Sequence, residues 1–502
     1  MGGDVALEPH RPGLHPSRLL RSGLRAEFVA RLGERAVISE PAQLRTYECD
    51  GLTGYRVTPA LVVLPETTEQ VAAAVALCAR ERLPFVARGA GTGLSGGALP
   101  VAEGIVIGLA RMRTVIAIDA LNQRATVQPG VTNADISRRA APHGLYFAPD
   151  PSSQIVCTVG GNVAENSGGA HCLKYGFTTN HVLGVTLVIP DGSVVTLGGD
   201  SADPVGPDLL GVVVGSEGTL GIVTEVIVRL LPRPESVRTM VVDFPSAENA
   251  ADAVSGLVAA GIIPAAVEML DQLALEACEK ATGAGFSLDA AAALIVEVDG
   301  FDTECATDFD IAREVCRTNG ATAIRVPATA EERALVWKGR KSAFAAMGRI
   351  SPDYFVQDGV IPRTKVGAVL TRISEMADEA GLRVANVFHA GDGNLHPLVL
   401  YDSRRSGEAA RAEHVASAIA ELCVSLGGSL SGEHGIGADK ACSMPKMFSP
   451  DDLAVMKRVR DGFDPAGICN PGKIFPTPRL CGEQSGPYRP HPLESAGVIG
   501  RG

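Results

Sequence analysis

The chain has 502 residues, of which 46% are hydrophobic and 20% charged, a composition typical of a globular protein with two or more domains. It carries 45 Lys and Arg against 57 Asp and Glu, and the net charge of −12 argues against a nucleic-acid partner. No apolar run approaches the ~18 residues of a membrane span, and the first thirty residues lack the apolar core of a secretory signal. We therefore expect a cytoplasmic protein.

The numbers of cysteines and glycines indicate which kinds of functional site to expect. Eleven cysteines without a Cys-x-x-Cys pair disfavour both a disulfide framework and a ferredoxin-type iron–sulfur cluster, so we expect isolated thiols. The 57 glycines among 502 residues are about 11% of the chain, against a usual ~7%. Such an excess indicates that the backbone approaches another group closely at several places.

The first half of the chain alternates between strand and helix patterns. Residues 1–50 are rich in proline and arginine before a helical pattern begins, and we interpret them as an N-terminal arm. A first domain follows over residues 51–234. Pro190-Asp191-Gly192 lies between two apolar runs and predicts a β-hairpin. The expected strands are 61–64, 85–87, 104–109, 124–128, 182–189 and 193–197, and the expected helices are 67–82 and 132–143.

Leu231-Pro232-Arg233-Pro234 marks a boundary, and two strand–helix–strand units follow it. They predict a second domain, residues 235–440, with a ferredoxin-like antiparallel sheet, which makes the chain an α+β protein. Residues 441–476 are expected to return to the first domain, and residues 477–502 form a tail. The expected strands are 239–244, 264–269, 292–298 and 323–326, and the expected helices are 246–260 and 303–319.

Three segments rich in glycine, serine, threonine and asparagine lie in the first domain, at residues 88–97, 149–169 and 215–221. The first follows a predicted strand but does not open a helix, so it fits a dinucleotide-binding fingerprint poorly. No Gly-Lys-Ser/Thr follows it, which excludes a Walker loop. Backbone amides free of Cβ atoms turn readily towards an anion, so the three segments together predict a site for a long ligand that carries phosphate groups.

Two histidines and a glutamate in the second domain form a candidate metal site. His389 and His396 are joined by a glycine turn, and Glu433 lies in a separate glycine-flanked segment. Two imidazoles and a carboxylate suit Zn²⁺, Mn²⁺ or Fe²⁺ and leave room for a substrate. The spacing alone leaves the alternative open that these are loop histidines with structural hydrogen bonds.

The glycine-rich segments resemble the FAD-binding domain of the PCMH-type flavoproteins, the vanillyl-alcohol oxidase superfamily. From about Leu44 to Phe475 the chain is similar to the FAD-linked oxidase family of D-2-hydroxy-acid dehydrogenases. Within this family it most resembles the FAD-containing D subunits of bacterial glycolate oxidases. Some relatives attach FAD through a histidine near the position of Thr92, so this chain is expected to bind FAD non-covalently. The residues assigned to the FAD site are Arg88, Gly89, Ala90, Gly91, Thr92, Gly93, Leu94, Ser95, Gly96, Pro149, Asp150, Ser152, Gly160, Gly161, Asn162, Asn166, Gly168, Gly169, Glu217, Gly218, Gly221, Ile222 and Asn470.

The resemblance also implies a divalent metal at His389, His396 and Glu433. This metal would bind the substrate hydroxyl, and His434 would remove the hydroxyl proton while a hydride leaves to the flavin. Arg340 is the candidate for binding the substrate carboxylate, because a guanidinium group matches a carboxylate with two hydrogen bonds.

Three other residues are further candidates for roles in this site. Arg363 is a second candidate for the carboxylate, and solvated basic residues on a helix are the alternative reading of the Arg340 segment. Asp392 or Asn394 would orient the metal ligands from outside the coordination sphere.

The expected substrate is small. Relatives that accept a dicarboxylate carry a lysine shortly before the segment that matches Asp358 to Pro362, where this chain has Phe355-Val356-Gln357. This difference favours glycolate or D-lactate over 2-hydroxyglutarate.

The resemblance implies an iron–sulfur subunit and a second FAD-domain subunit as partners, and only through them a position at the inner membrane face. Direct transfer of electrons to a quinone or a cytochrome is the other route. A stand-alone D-lactate dehydrogenase and a metal-binding or scaffold protein with a degenerate FAD domain are the alternative functions.

Overall fold

In the computed structural model each half of the chain folds around its own β-sheets. Residues of both halves line one cavity. The structure describes residues 22–200 and 206–476, so part of the predicted arm and the predicted tail, 477–502, lie outside it. No helix within the described ranges is both long and apolar enough to cross a lipid bilayer.

The first domain contains two main sheets with helices packed against them. Its strands are β1 (Val37–Ile38), β2 (Leu61–Val63), β3 (Phe85–Arg88), β4 (Ile105–Gly108), β5 (Val115–Asp119), β6 (Arg124–Val127), β7 (Leu145–Tyr146), β8 (Val182–Val188), β9 (Val194–Gly198), β10 (Ile222–Arg229) and β11 (Leu231–Pro232). Its helices are α1 (Ser22–Leu32), α2 (Pro41–Leu44), α3 (Thr68–Glu81), α4 (Asn133–Ala140), α5 (Val159–Glu165), α6 (Cys172–Tyr175) and α7 (Leu209–Val213).

The first sheet has the order β1-β2-β4-β3. Strands β2, β4 and β3 run parallel because helix α3 makes the crossover between β2 and β3. That helix begins at Thr67, whose side chain accepts a hydrogen bond from the amide of Gln70. Strand β1 pairs with β2, so this part of the predicted arm belongs to the first sheet.

The second sheet is antiparallel and has the order β5-β6-β10-β8-β9. Its strands β8 and β9 form the hairpin that the sequence predicted, with Val188 opposite Val194. Helices α4 and α5 cover the apolar face, and the predicted helix 132–143 divides into α4 and a short 3₁₀ turn, Ala141–His143. The three segments rich in glycine lie between β3 and β4, between β7 and β8, and between α7 and β10, and the second of them includes helix α5.

The second domain is built on one large sheet. Its strands are β12 (Ser236–Phe244), β13 (Ala266–Asp271), β14 (Ala292–Gly300), β15 (Ala323–Arg325), β16 (Asp353–Val356), β17 (Gly359–Val360), β18 (Arg383–His389), β19 (Asn394–Leu395) and β20 (Pro397–Tyr401). Helices α8 to α15 are Ala247–Ala259, Gln272–Thr282, Asp302–Thr318, Ala330–Lys341, Ala343–Met347, Val366–Glu379, Glu408–Ser425 and Pro450–Phe463.

Strands β15-β12-β14-β13 lie side by side, with α8 and α10 as crossovers, which is the predicted ferredoxin-like arrangement. Strand β18 extends this sheet from β13, and β19, β20, β16 and β17 follow from β18. Apolar side chains cover both faces of the sheet. The extension matters for function because it brings the segment that ends at His389 next to β13.

The end of the described chain returns to the first domain. The amide of Asn470 donates to the carbonyl of Phe85 at 2.8 Å, and its side-chain amide donates to the carbonyl of Gly97 at 2.9 Å. Lys473 Nζ donates to the carbonyl of Leu99 at 2.8 Å. These bonds attach residues 470–473 to strand β3 and to the loop that follows it.

The cysteines of the described chain are mostly isolated. Nine are free thiols, and all of these except Cys49 are buried. Cys442 is disulfide-bonded, so the expectation of an isolated thiol is wrong at this position.

Candidate active site

A cavity of ≈ 490 Å³ connects the glycine-rich loops of the first domain with the histidines of the second. Arg340, Phe344, His396, Glu433 and His434 form its wall in the second domain. The predicted cofactor residues that line it are Gly89, Ala90, Gly91, Thr92, Gly93, Leu94, Ser152, Gly160, Gly161, Asn162, Glu217, Gly218, Gly221 and Ile222. The structure thus brings most of the residues predicted from the resemblance to one space.

The first-domain wall fits a long ligand. A Cβ atom at Gly93 would meet no protein atom within 4 Å, so the backbone is open there. By contrast, a Cβ atom at Gly89 would lie 2.3 Å from Thr158 Oγ1, so glycine is required for packing. The hydroxyl group of Thr158, which lines the cavity, is buried without a hydrogen-bond partner among the described residues. Open backbone and unpartnered polar atoms are what a phosphate-bearing cofactor would use.

Other predicted cofactor residues lie outside the cavity wall. Arg88 donates to the carbonyl of Cys49 at 2.7 Å. The Asp150 carboxylate pairs with Lys341 at 3.2 Å and with His171 at 3.0 Å. Burial raises the pKa of Asp150, but the charges of His171 and Lys341 outweigh it and hold the pKa below its usual value. Contact of these residues with a cofactor stays a prediction, as it does for Ser95, Gly96, Pro149, Asn166, Gly168, Gly169 and Asn470.

The three predicted metal ligands converge. His389 Nε2 lies 3.4 Å and His396 Nε2 3.3 Å from Glu433 Oε1, and these ligand atoms all lie within 4.8 Å of one another. His396 Nε2 is buried and has no hydrogen-bond partner in the described chain. Burial lowers the pKa of His396 to about 4, so this imidazole is neutral and can offer a lone pair to a metal ion. The donor set and its spacing fit a divalent cation of the transition series.

A tight turn explains how two histidines so close in sequence meet. His389 ends β18, and the chain reverses so that His389 pairs with Asn394 of β19. Gly393 within the turn has φ 81, and a Cβ atom there would lie 2.2 Å from the carbonyl oxygen of Ile361. Only glycine fits this position.

Glu268 is a residue of the site that the sequence analysis missed. It is fully buried on β13 directly opposite His389, and its Oε1 lies 2.6 Å from His389 Nδ1. Its other oxygen, Oε2, pairs with the Arg340 guanidinium at 2.5 Å. A proton on Nδ1 that points to Glu268 leaves Nε2 free to bind a metal. The signal in the sequence was a single carboxylate within the apolar run Ala266-Val267-Glu268-Met269-Leu270.

Asp358 is a second missed residue, and it shapes the loop that carries Glu433 and His434. Its carboxylate accepts hydrogen bonds from the Ser431 hydroxyl at 2.5 Å and from the backbone amides of residues 432–434. Lys440 Nζ lies 3.3 Å away. Burial raises the pKa of Asp358, but His434 and Lys440 outweigh it and hold the pKa well below the usual value. Asp358 is therefore an ionised anchor for this loop.

His434 lies in the cavity wall beside the candidate metal ligands. Its Nε2 is 3.5 Å from Glu433 Oε1, and its Nδ1 is 3.9 Å from Asp358 Oδ2. Its ring stacks on that of His396, with the centroids 4.8 Å apart and the planes 5° apart. One nitrogen thus faces the metal ligands and the other a fixed carboxylate.

The structure distinguishes the two arginines that are candidates for binding the substrate carboxylate, a role that we call the carboxylate clamp. Arg340, near the end of α11, is buried, and it lines the cavity beside His396. Arg363 is not part of the cavity wall, and it donates to the carbonyl of Gly391 at 3.0 Å. Asp392 accepts from the amide of Asn394, and neither of these two residues lines the cavity.

Comparison with known proteins places the chain among flavoproteins. Residues 59–198 match the family described as "FAD binding domain", and residues 233–474 match "FAD linked oxidases, C-terminal domain". The glycolate oxidase subunit GlcD of Escherichia coli (strain K12) is 49% identical over 447 residues, which are 89% of this chain and 90% of that protein.

Two further proteins are similar to this chain, one in sequence and one in fold. A D-lactate dehydrogenase of Archaeoglobus fulgidus is 35% identical over 418 residues, 82% of this chain and 91% of that protein. The structure of 4-ethylphenol oxidase from Gulosibacter chungangensis superposes with a TM-score of 0.77 at 18% identity, and the match covers 94% of this chain and 99% of that one. The similarity to 4-ethylphenol oxidase concerns the fold alone.

The contact between Glu268 and His389 predicts an effect on metal affinity. Glu268→Gln removes the negative charge that polarises His389, so we expect the affinity for Zn²⁺ or Mn²⁺ to fall roughly 10- to 100-fold. Competition with a chromophoric chelator measures it. Glu297→Gln is the matched control, because Glu297 is a buried carboxylate of the same sheet that bonds Arg333 and Trp337 instead. Equal affinities in the two variants would contradict a role for Glu268 in metal binding.

Proposed function

This chain belongs to the FAD-linked oxidase family and is an FAD-dependent oxidoreductase, and on that premise we propose that it oxidises a small 2-hydroxy acid to the 2-oxo acid. Glycolate is the first substrate that we propose, and D-lactate the second. The observation that carries this proposal is that one cavity joins the glycine-rich loops to His434, Arg340 and the candidate metal ligands.

The glycine-rich segments are the proposed FAD site. Thr92 lines the cavity. It lies near the position at which some relatives attach FAD through a histidine, and the first glycine-rich segment contains no histidine, which supports non-covalent binding. When bound, FAD supplies the two-electron chemistry of the reaction by accepting a hydride. The backbone amides of Gly89 to Gly93 and of Gly161 would hold its phosphate groups.

His389, His396 and Glu433 are the proposed ligands of a divalent metal. A cation held by them would supply Lewis-acid chemistry, lowering the pKa of a hydroxyl group in contact with it. The hydrogen bond from His389 to Glu268 fixes the ring orientation that such binding needs.

His434 is the proposed general base. It would take the hydroxyl proton at Nε2, the ring nitrogen that faces Glu433, while Asp358 lies on the side of Nδ1. An imidazole ring is the side chain that most often accepts a proton in general base catalysis. The hydrogen bond that the backbone N–H of His434 donates to Asp358 holds this residue in place, which supports a fixed direction of proton transfer.

Arg340 is the proposed partner of the substrate carboxylate. One side of its guanidinium pairs with Glu268, and its Nε has no hydrogen-bond partner in the described part of the chain. Glu268 would thus keep Arg340 beside the metal ligand His389. The stretch 355–357 contains no lysine that would bind a second carboxylate, which supports a monocarboxylate substrate.

The relatives support two physiological settings. The Escherichia coli relative is named as a subunit of glycolate oxidase, which favours an assembly of several subunits. As the family resemblance implies, we propose that a separate iron–sulfur subunit and a second FAD-domain subunit receive the electrons. Such an assembly would also account for a position at the inner face of the membrane. The second candidate activity is that of a D-lactate dehydrogenase, as the Archaeoglobus relative is named. We propose that such an enzyme would work without partner subunits and pass its electrons to a quinone or a cytochrome.

The substrate class is tested by anaerobic reduction of the bound flavin. We expect glycolate or D-lactate to bleach the flavin absorbance rapidly, and 2-hydroxyglutarate to do so slowly, because the cavity offers one clamp for one carboxylate. Stopped-flow absorbance with each acid gives the rate of reduction. Reduction that is fastest with 2-hydroxyglutarate would contradict the proposed substrate class.

The base is tested by His434→Ala. We expect FAD to remain bound while its reduction by substrate slows by ~10²-fold or more, since a positioned general base contributes on this scale. Stopped-flow reduction measures the rate, with the exposed His143→Ala as control. A rate close to that of the unaltered protein would rule out His434 as the base.

The clamp is tested by Arg340→Lys. A lysine keeps the positive charge but loses the two-pronged geometry, so we expect substrate affinity to fall about tenfold or more. The concentration dependence of flavin reduction measures the affinity. Arg363→Lys is the comparison, and a larger loss in that variant would move the clamp from Arg340 to Arg363.

A further inference from the structure

Two glutamates of the first domain lie against the loop that follows His434. Glu217 accepts the backbone amide of Ile436 at Oε1 and that of Gly437 at Oε2, each at 2.6 Å. Glu165 ends α5 and lines the same cavity as Glu217. Its Oε2 is buried and has no hydrogen-bond partner among the described residues. No step proposed above uses Glu165.

The two carboxyl groups are close neighbours. A Cβ atom at Gly435 would lie 2.3 Å from Glu165 Oε2 and 2.9 Å from Glu217 Oε1, so these two oxygen atoms are at most about 5 Å apart. Two ionised carboxylates at this separation in a buried place repel each other strongly, and such a pair keeps a proton.

The charges around the pair do not remove this need for a proton. Lys440 Nζ lies beside Asp358, and Lys473 Nζ donates to the carbonyl of Leu99 and to Asn470. Both lysines attract the pair from a distance, but neither is hydrogen-bonded to it. Asp50 adds a further nearby carboxylate that raises the pKa of Glu165.

The hydrogen bonds decide which member of the pair holds the proton. Both oxygen atoms of Glu217 accept backbone N–H groups, which favours the ionised form. No such donor reaches Glu165 Oε2. Burial and the Glu217 charge raise the pKa of Glu165 well above its usual value, whereas burial raises that of Glu217 only to about 7. The geometry and the charges therefore both indicate that Glu165, and not Glu217, holds the proton.

We propose that Glu165 is a neutral carboxylic acid at neutral pH and that it donates a hydrogen bond to the flavin ring in the cavity. This inference rests on the proposed binding of FAD. The flavin ring carries nitrogen and carbonyl acceptors and gains negative charge on reduction, which a neutral donor stabilises and a carboxylate would repel. Enzymes are known in which an apolar site keeps a carboxylic acid protonated so that it can donate in this way.

The proton on Glu165 is tested on the flavin-bound protein by infrared spectroscopy. In a difference spectrum between the oxidised and the photochemically reduced forms at pH 8, we expect a carbonyl band of a protonated carboxyl group that shifts on reduction. Glu165→Gln is expected to lose this band. The control Glu235→Gln alters an exposed carboxylate at the start of the second domain and is expected to keep the band.

The hydrogen bond is tested by the affinity for FAD, measured by quenching of flavin fluorescence as apoprotein is added. We expect roughly 3- to 10-fold weaker binding in Glu165→Ala, since one net hydrogen bond is lost. Glu165→Gln should change the affinity less than about twofold, because the amide also donates.

Each outcome bears on the inference. A flavin-bound protein without the infrared band, a band that persists in Glu165→Gln, or unchanged affinity in Glu165→Ala would overturn it and leave the proposed function standing. A wild-type protein that binds no FAD would contradict the proposed function itself, and this inference with it. The infrared measurement does not depend on whether Glu165→Ala folds.

Discussion

The site depends on one carboxylate, that of Glu268, which is cut off from water and has a partner at each of its oxygen atoms. Glu268 is fully buried, and removing a carboxylate from water costs several kcal/mol unless its charge is matched. His389 matches one oxygen and Arg340 the other. Because Glu268 and His389 face each other on paired strands, the register of β13 and β18 sets where the metal ligand lies. The same carboxylate then sets where the guanidinium lies, so the positions of the proposed metal and of the proposed carboxylate clamp are not independent.

The loop at residues 431–437 is held from both domains. Asp358 of the second domain accepts the amides of residues 432–434, and Glu217 of the first domain accepts those of residues 436–437. The ion pair of Asp150 and Lys341 and that of His171 and Glu297 join the same two domains elsewhere. A relative shift of the domains would break bonds on one side of the loop. The direction of His434 towards the cavity therefore depends on how the two domains meet.

The sequence predicted those parts of the site that a local pattern encodes. The hairpin at Pro190-Asp191-Gly192 and the ferredoxin-like order of strands follow from turn chemistry and from the alternation of strands and helices. Glu268 and Asp358 were missed because their roles arise from partners that are between about 70 and 120 residues away in the chain. Nothing next to Asp358 in the sequence shows that it caps a distant loop. In contrast, the lone carboxylate at position 268 within a buried strand is a signal that sequence reasoning can use, because an isolated buried charge requires a partner.

The excess of glycine has two physical causes that composition alone cannot separate. At Gly93 the backbone is open to the cavity, as a cofactor site requires. At Gly97 and Gly435, by contrast, a Cβ atom would lie within 2.4 Å of a Glu165 oxygen, so these glycines let the chain pack tightly around a buried carboxyl group. A larger residue at either position would push Glu165 away from Glu217 or out of the cavity. The glycines that follow His434 thus help to keep two acidic groups close together, and this closeness is the condition under which one of them retains a proton.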